Sequence, residues 1–268
     1  MIQLDMAVRN MAEKTLTDAD PGHRKGCRYH PEYRPPASPM FDHLEVGSNT
    51  RALVLVPHVD DEIMGCGGAM CHLGKNGAHV KVAYMTGAAH KCNASCSKGL
   101  VHMDKGETDV ALRTLRCFDS VQINPDHHEV KCDDNTFKAV KEIIFNYEPD
   151  IIFVPCYVES RVDYMRTASM VAKALENYPY HTRCLGYSFE GVSRPDTLVD
   201  ITQVIDDKIE AMQERRSQVK LVDDEDQIRS THMYALSSKN HERYCERFNI
   251  YSREKYVQIA KDLGLIKT

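Results

Sequence analysis

The stretch Arg51-Ala-Leu-Val-Leu-Val-Pro57, followed at once by His58-Val59-Asp60-Asp61-Glu62, decides the fold of this chain. A continuous apolar run of this length is typical of a strand that is buried on both faces of a parallel sheet. Polar, titratable residues directly after such a strand are significant because ligands of α/β sheets bind at the carboxyl ends of the strands. The passage therefore predicts a buried parallel strand that carries functional side chains at its end.

Strands and helices alternate along the rest of the chain. Helical spacing of apolar residues predicts helices over 65–76, 104–117, 137–147, 168–175 and 205–219, and short apolar runs predict strands over 79–86, 121–124, 151–156, 184–190 and 198–201. The last 40 residues are polar and predicted to be helical, with a closing helix over 252–263. This alternation favours an α/β fold with a mostly parallel sheet and helices on both faces.

Domain organisation follows from a change in composition near residue 50. Residues 1–50 include the proline-rich segment GHRKGCRYHPEYRPPASP, and we expect an irregular N-terminal lead-in that packs on the domain. Residues 51–268 are expected to form a single domain.

Composition excludes several classes of protein. The net charge is −5, which does not suggest a nucleic-acid binder, and there is no apolar run of the length that a transmembrane helix needs. The N-terminus lacks the apolar core of a signal peptide, so we expect a cytoplasmic protein without a membrane partner. Its ten cysteines are then expected to be reduced thiols, although Cys92 and Cys96, near His90 and His102, could bind a second metal.

The cluster from His58 to Glu62 is the strongest candidate for chemistry. An imidazole and carboxylates can bind a divalent cation, and a carboxylate left free of the metal could accept a proton from bound water. The alternative is a charged turn that caps the next helix. The glycines of Gly65-Cys66-Gly67-Gly68 either allow close packing or expose backbone N–H groups to an anion.

The segment PHVDDEIMGCGG resembles the signature AHPDDExxGxGG of the LmbE-like, PIG-L-type N-acetylglucosaminyl deacetylases. Three later segments, in the expected order, are similar to further motifs of that family. They are Pro149–Pro155, the DIT…D…K…A…SQ pattern that runs from Asp200 through Lys208 to Gln218, and Tyr244–Phe248. The resemblance covers roughly residues 51–250.

The resemblance implies a Rossmann-like, zinc-dependent hydrolase of N-acetyl groups, commonly on molecules that contain N-acetylglucosamine. By position, His58 and Asp61 would be metal ligands and Asp60 would be the general base. Glu62 would support the turn, and Asp126 resembles a substrate-contacting aspartate after the third strand. Glu62, Asp163, His127 and His128 are candidates for substrate binding together with Asp126.

The chain departs from the family pattern at the second motif, HPDH, whose counterpart is Arg161-Val162-Asp163-Tyr164. The last histidine of that motif completes the metal site, and the first helps to stabilise the tetrahedral intermediate; Val59 also replaces a proline of the first motif. Three alternatives stay open for the metal. An ionised Tyr164 could bind it, another side chain such as His127, His128 or Asp163 could supply the third ligand, or metal binding could be weak or absent. Arg161 is suited to stabilise an oxyanion, or it is a surface arginine.

Three functions are therefore carried forward. The first is a hydrolase, dependent on zinc or another divalent metal, that removes an N-acetyl or related acyl group from a small amino-sugar-like substrate. The second is a family member that binds a sugar-like ligand without hydrolysis, and the third is an enzyme of changed chemistry whose pocket is reshaped by the Cys- and His-rich loop 87–103. A homo-oligomer is compatible with all three.

Overall fold

The computed structural model describes residues 40–42, 44, 46–87, 89–91, 100–102, 105–157, 161–188, 195–215, 228–229, 231–235 and 242–267. Within these ranges no helix is both long and apolar enough to cross a membrane. Most of the predicted lead-in, Cys92, Cys96 and the side chains of His90 and His102 lie outside the described part of the chain.

The described strands are β1 (Met40–Asp42), β2 (Arg51–Val56), β3 (His79–Tyr84), β4 (Ala89–Lys91), β5 (Leu100–His102), β6 (Asp119–Gln122), β7 (Ile151–Pro155), β8 (Arg183–Tyr187), β9 (Thr197–Asp200), β10 (Met233–Ala235) and β11 (Glu242–Ser252). The main sheet has the order β1-β9-β11-β8-β7-β2-β3-β6, with β10 paired to β11. All pairings among β2, β3, β6, β7 and β8 are parallel, whereas β11 runs antiparallel to β8 and β9. A separate antiparallel pair is formed by β4 and β5.

The described helices of six or more residues are α1 (Asp61–Lys75), α2 (Lys105–Thr114), α3 (Asp134–Tyr147), α4 (Val162–Leu175), α5 (Ile205–Gln213) and α6 (Arg253–Asp262). Side chains of β2 alternate between two cores. Ala52, Val54 and Val56 pack on the side of α1, α2 and α5, and Leu53 and Leu55 pack on the side of α3, α4 and α6. The predicted α/β fold with helices on both faces of a mostly parallel sheet is therefore confirmed.

The prediction that the C-terminal segment is helical was wrong for residues 233–235 and 242–252, which are strands. Residues 228–229 and 231–232 are helical, and the closing helix Arg253–Asp262 lies where it was predicted. The charged residues of Tyr244-Cys-Glu-Arg-Phe248 suggested an exposed helix, but Glu246 is buried in an ion pair and its neighbours Cys245 and Phe248 are buried as well. Because a charged residue is expected at the surface, the buried Glu246 kept this segment from being recognised as a buried strand.

Helices α1 and α4 begin earlier than predicted, and this places motif residues inside their first turns. Helix α1 begins at Asp61, because Asp60 adopts a left-handed conformation with φ 87° and ends the preceding turn. Helix α4 begins at Val162 rather than at 168.

The direction of chain travel reverses at β2. From β2 the chain continues to β3 and β6 on one side of the sheet, then returns to β7 on the other side of β2. A crevice opens at such a switch point, outside the carboxyl ends of the strands, and it is the usual ligand site of open α/β sheets. The segments after β2, β3 and β7 therefore meet at one place.

Candidate active site

His58 is fixed at this edge by contacts on both of its ring nitrogens. The hydroxyl of Thr86, which follows β3, donates to the Pro57 carbonyl at 2.8 Å. The same Thr86 oxygen lies 3.0 Å from His58 Nδ1 and, having donated its only hydrogen, must accept one from this nitrogen. The other nitrogen, Nε2, faces Asp163 Oδ2 at 3.1 Å.

Asp61 is half-buried, and both of its carboxylate oxygens accept hydrogen bonds. Oδ2 accepts from the backbone N–H of His58 at 2.9 Å, and Oδ1 accepts from the Tyr164 hydroxyl at 2.5 Å. Burial raises the pKa of Asp61 to about 6, although nearby His58 and the Tyr164 hydrogen bond act in the opposite direction. Asp61 is therefore bonded to residues of both predicted motifs.

The second motif supplies the opposite wall. Arg161 precedes α4, donates to the Tyr164 hydroxyl at 2.9 Å and lies over the Tyr164 ring at 4.7 Å. Asp163 pairs through its other oxygen with Arg166 at 3.2 Å. We call His58, Asp61, Arg161, Asp163, Tyr164 and Arg166 the cleft network.

An open cleft of about 400 Å³ lies beside this network. Its described lining comprises His58, Glu129, Arg161, Val162, Asp163 and Arg166. The guanidinium groups and carboxylates at its wall, together with its size, suit a small polar ligand.

Asp60 points to a different partner, Arg215, which sequence analysis missed. Arg215 Nη1 lies 2.7 Å from Asp60 Oδ1, and its Nη2 donates to Glu62. Glu62 also accepts the backbone N–H of Asp60 at 2.9 Å, in keeping with its predicted role at the turn. Burial raises the pKa of Asp60, and Arg215 opposes that rise. Nothing in the sequence marks Arg215 beyond its place near the end of a predicted amphipathic helix.

The predicted substrate contacts in the loop after β6 are not among the described residues that line the cleft. Asp126 is exposed, and His127 and His128 are half-buried. The carbonyl of His127 accepts the backbone N–H of Gly87 at 3.0 Å, while Glu129 from the same loop reaches the cleft. Roles for Asp126, His127 and His128 in substrate binding stay predictions.

A second set of charged side chains lies under α1, away from the cleft. Lys208 Nζ lies 2.6 Å from Glu246 Oε1 and 2.9 Å from His232 Nε2, and we call these three residues the core network. Helix α1 is kinked at Cys66, and the Glu246 carboxylate accepts the backbone N–H groups of Gly68 and Ala69, both at 2.8 Å. Close packing and anion binding, the two alternatives for the glycines, are therefore both seen in part. The helix packs closely, and the N–H groups freed by its kink bind a carboxylate of the protein itself.

The described residues do not fit a divalent cation in this arrangement. No three His, Cys, Asp or Glu side chains among them lie close enough together to hold one. Both nitrogens of His58 and both oxygens of Asp61 are already engaged, and Tyr164 stands where the family has its third ligand. Catalytic zinc sites have three protein ligands as a rule.

The chain is similar to known proteins both in sequence and in fold. The model of the PIG-L family, described as GlcNAc-PI de-N-acetylase, matches residues 53–175. An N,N'-diacetylchitobiose deacetylase from Pyrococcus horikoshii is 22% identical, with a TM-score of 0.63 over 77% of this chain and 85% of that chain. A conserved protein from Thermus thermophilus is 20% identical, with a TM-score of 0.61 over 74% of this chain and 93% of its own.

A third similar structure belongs to a protein with a different activity. It is the 4-carboxy-2-hydroxymuconate hydratase from Pseudomonas putida, 17% identical, with a TM-score of 0.60 over 75% of this chain and 95% of that chain. At such identities the likeness shows the fold alone. The family resemblance of the sequence is nevertheless confirmed over residues 53–175, which match the PIG-L family model.

Proposed function

We propose that this protein is a hydrolase that removes an N-acetyl group from a small amino-sugar-like substrate. One observation carries the proposal. The His58–Glu62 turn and the Arg161–Tyr164 turn, which are about 100 residues apart in sequence, meet beside an open cleft at the switch point of the sheet. The family match at residues 53–175 and the deacetylase from Pyrococcus horikoshii support the choice of reaction.

In the proposed reaction, water attacks the acetamide carbon while Asp60 accepts a proton from that water. Burial raises the pKa of Asp60, and the ion pair with Arg215 opposes this by favouring the charged, proton-accepting carboxylate. The C–N bond then breaks, the amine takes the proton back from Asp60, and acetate leaves. Arg161, at the wall of the cleft, stabilises the oxyanion with a permanent charge.

Acetate release from N-acetylglucosamine and N,N'-diacetylchitobiose tests this function. We expect Asp60→Asn to lower the rate by about 10²–10⁴-fold, as for loss of a general base. Arg161→Met should lower it by about 10²–10³-fold, as for loss of an oxyanion donor. The exposed residues Asp134 and Arg113 provide matched controls, and Asp134→Asn and Arg113→Met should leave the rate unchanged. Full activity in Asp60→Asn would contradict the mechanism.

A second candidate function is favoured by the closed hydrogen bonding of the cleft network. A family member that binds a sugar-like ligand without hydrolysis needs a shaped, charged cleft but no activated water. Calorimetric binding of the same two sugars, without acetate release over hours, would identify this function instead.

A further inference from the structure

The position of a family metal ion is taken up in this chain by hydrogen bonds between its own side chains. His58 can offer a cation only Nε2, because Nδ1 carries the hydrogen that Thr86 accepts. That nitrogen faces the Asp163 carboxylate at 3.1 Å. A cation would have to separate this pair before it could bind His58.

The carboxylate oxygens of Asp61 are likewise occupied by hydrogen bonds. Its Oδ1 accepts the Tyr164 hydroxyl at 2.5 Å, and Oδ2 is held by the backbone of His58 at 2.9 Å. A neutral phenol is a poor ligand compared with the imidazole that the family places here. Tyr164 therefore acts as a hydrogen-bond donor to Asp61 rather than completing a metal site with it.

The charges of the surrounding side chains also disfavour a bound cation. Arg161 lies 2.9 Å from the Tyr164 hydroxyl, and Arg166 lies 3.2 Å from Asp163. These permanent guanidinium cations balance the carboxylates of Asp61 and Asp163 without any added ion. A dication bound to His58 and Asp61 would lie close to both guanidinium groups, the exposed one of Arg161 and the buried one of Arg166, and like charges repel.

We infer that this active site holds no resident divalent cation, and that Arg161 and Tyr164 replace it by neutralising and hydrogen-bonding the carboxylate of Asp61. The inference rests on the proposed function only in taking the same cleft as the active site. It assigns to Arg161 the positive charge that a metal supplies to relatives with the full motif.

Zinc content and zinc affinity of the full chain test the inference. We expect purified wild-type protein to contain substoichiometric zinc by elemental analysis and to bind added Zn²⁺ weakly in equilibrium dialysis. The double variant Arg161→His/Tyr164→His restores the histidines of the family motif and should bind Zn²⁺ at least about 100-fold more tightly, as expected when a third ligand is added. One tightly held zinc per wild-type chain would overturn the inference.

Three further variants identify which residue causes any gain in affinity for Zn²⁺. Tyr164→Phe removes the hydroxyl without adding a ligand, so its zinc affinity should stay at the wild-type level. His58→Ala in the double variant should cancel the gain. If the double variant fails to fold by circular dichroism, the single variant Tyr164→His takes its place. A folded histidine variant with no gain would show that these two residues do not exclude the metal.

Acetate release distinguishes failure of this inference from failure of the proposed function. Hydrolysis that persists after exhaustive chelation supports both. Hydrolysis that is lost on chelation and returns with Zn²⁺ keeps the function and overturns the inference. Absence of both zinc and hydrolysis overturns the function and leaves the inference standing.

Discussion

The cleft network and the core network use the same kinds of side chain at two levels of one helix, and they differ in their access to water. In the cleft network the side chains of His58 and Asp163 keep 13% and 15% of their surface exposed. In the core network Lys208 and Glu246 keep 0% and 1%. The first set can exchange its partners with a ligand, whereas the second is closed to solvent.

This difference assigns separate tasks to the two networks. The core network bonds to the middle of α1, where the kink at Cys66 would otherwise leave the N–H groups of Gly68 and Ala69 without acceptors. The cleft network bonds to the start of α1 and borders the cleft. We therefore expect changes in the core network to cost folding stability and changes in the cleft network to cost chemistry.

Glu246→Gln should give the largest effect on stability. The amide keeps the shape of the side chain but leaves the Lys208 ammonium buried without a counter-charge, which costs about 3–5 kcal/mol. Urea unfolding followed by circular dichroism measures the loss. The exposed pair Lys138–Glu142, separated by 3.8 Å, provides the control, and Glu142→Gln should change stability by less than about 1 kcal/mol. Equal effects of the two substitutions would remove the distinction between buried and exposed pairs.

Gly68→Ala should give a smaller loss, of about 1–3 kcal/mol, because it overpacks the core. A Cβ atom at Gly68 would lie 2.6 Å from Ile201 Cγ2, and the backbone of α1 would have to move away from the Glu246 carboxylate. Gly67→Ala is the matched control in the same turn, since the nearest neighbour of its Cβ would be Leu115 Cδ1 at 3.4 Å. Thermal unfolding of both variants checks the difference. A loss for Gly67→Ala as large as that for Gly68→Ala would show that helix geometry, not contact with Ile201, sets the cost.

Much of the site could be predicted because its parts lie where strands end. The apolar run of β2 and the polar residues after it predict both the strand and the edge that carries His58 and Asp61. The strand ends after β3 and β7 were also expected to reach that edge, and Thr86 and Asp163 meet His58 there. These inferences rest on local sequence patterns, because a parallel sheet brings the carboxyl ends of its strands to the same edge.

The rest depended on contacts between distant residues, which local patterns do not encode. Lys208 and Glu246 match family motifs, yet only the structure shows that they support α1 and do not line the cleft. Arg215 carries no signal because an arginine after an amphipathic helix is usually solvated, whereas here it is wholly buried between Asp60 and Glu62. Buried ion pairs also hid β11, since a charged residue is expected at the surface.

The smallest effect that we predict is a pH dependence that arises in the core network. Burial and the nearby Lys208 ammonium lower the pKa of His232 from 6.5 to about 3 in the folded protein. Between these pH values the unfolded chain binds a proton that the folded protein does not, so stability falls as pH decreases from about 6.5, by about 1 kcal/mol per pH unit. Asp61, with its pKa raised to about 6, acts in the opposite sense, because its folded form binds the extra proton and gains stability as pH decreases.

Comparison of wild type with His232→Gln isolates the histidine, since both proteins share the contribution of Asp61. Urea unfolding between pH 7 and pH 5 should show a stability of His232→Gln that falls less on acidification than that of wild type, while the exposed control His79→Gln keeps the wild-type slope. If the free energy of unfolding had the same dependence on pH in wild type and in His232→Gln, His232 would be able to bind a proton in the folded protein. The contrast between a core network closed to water and a cleft network open to it would then be wrong.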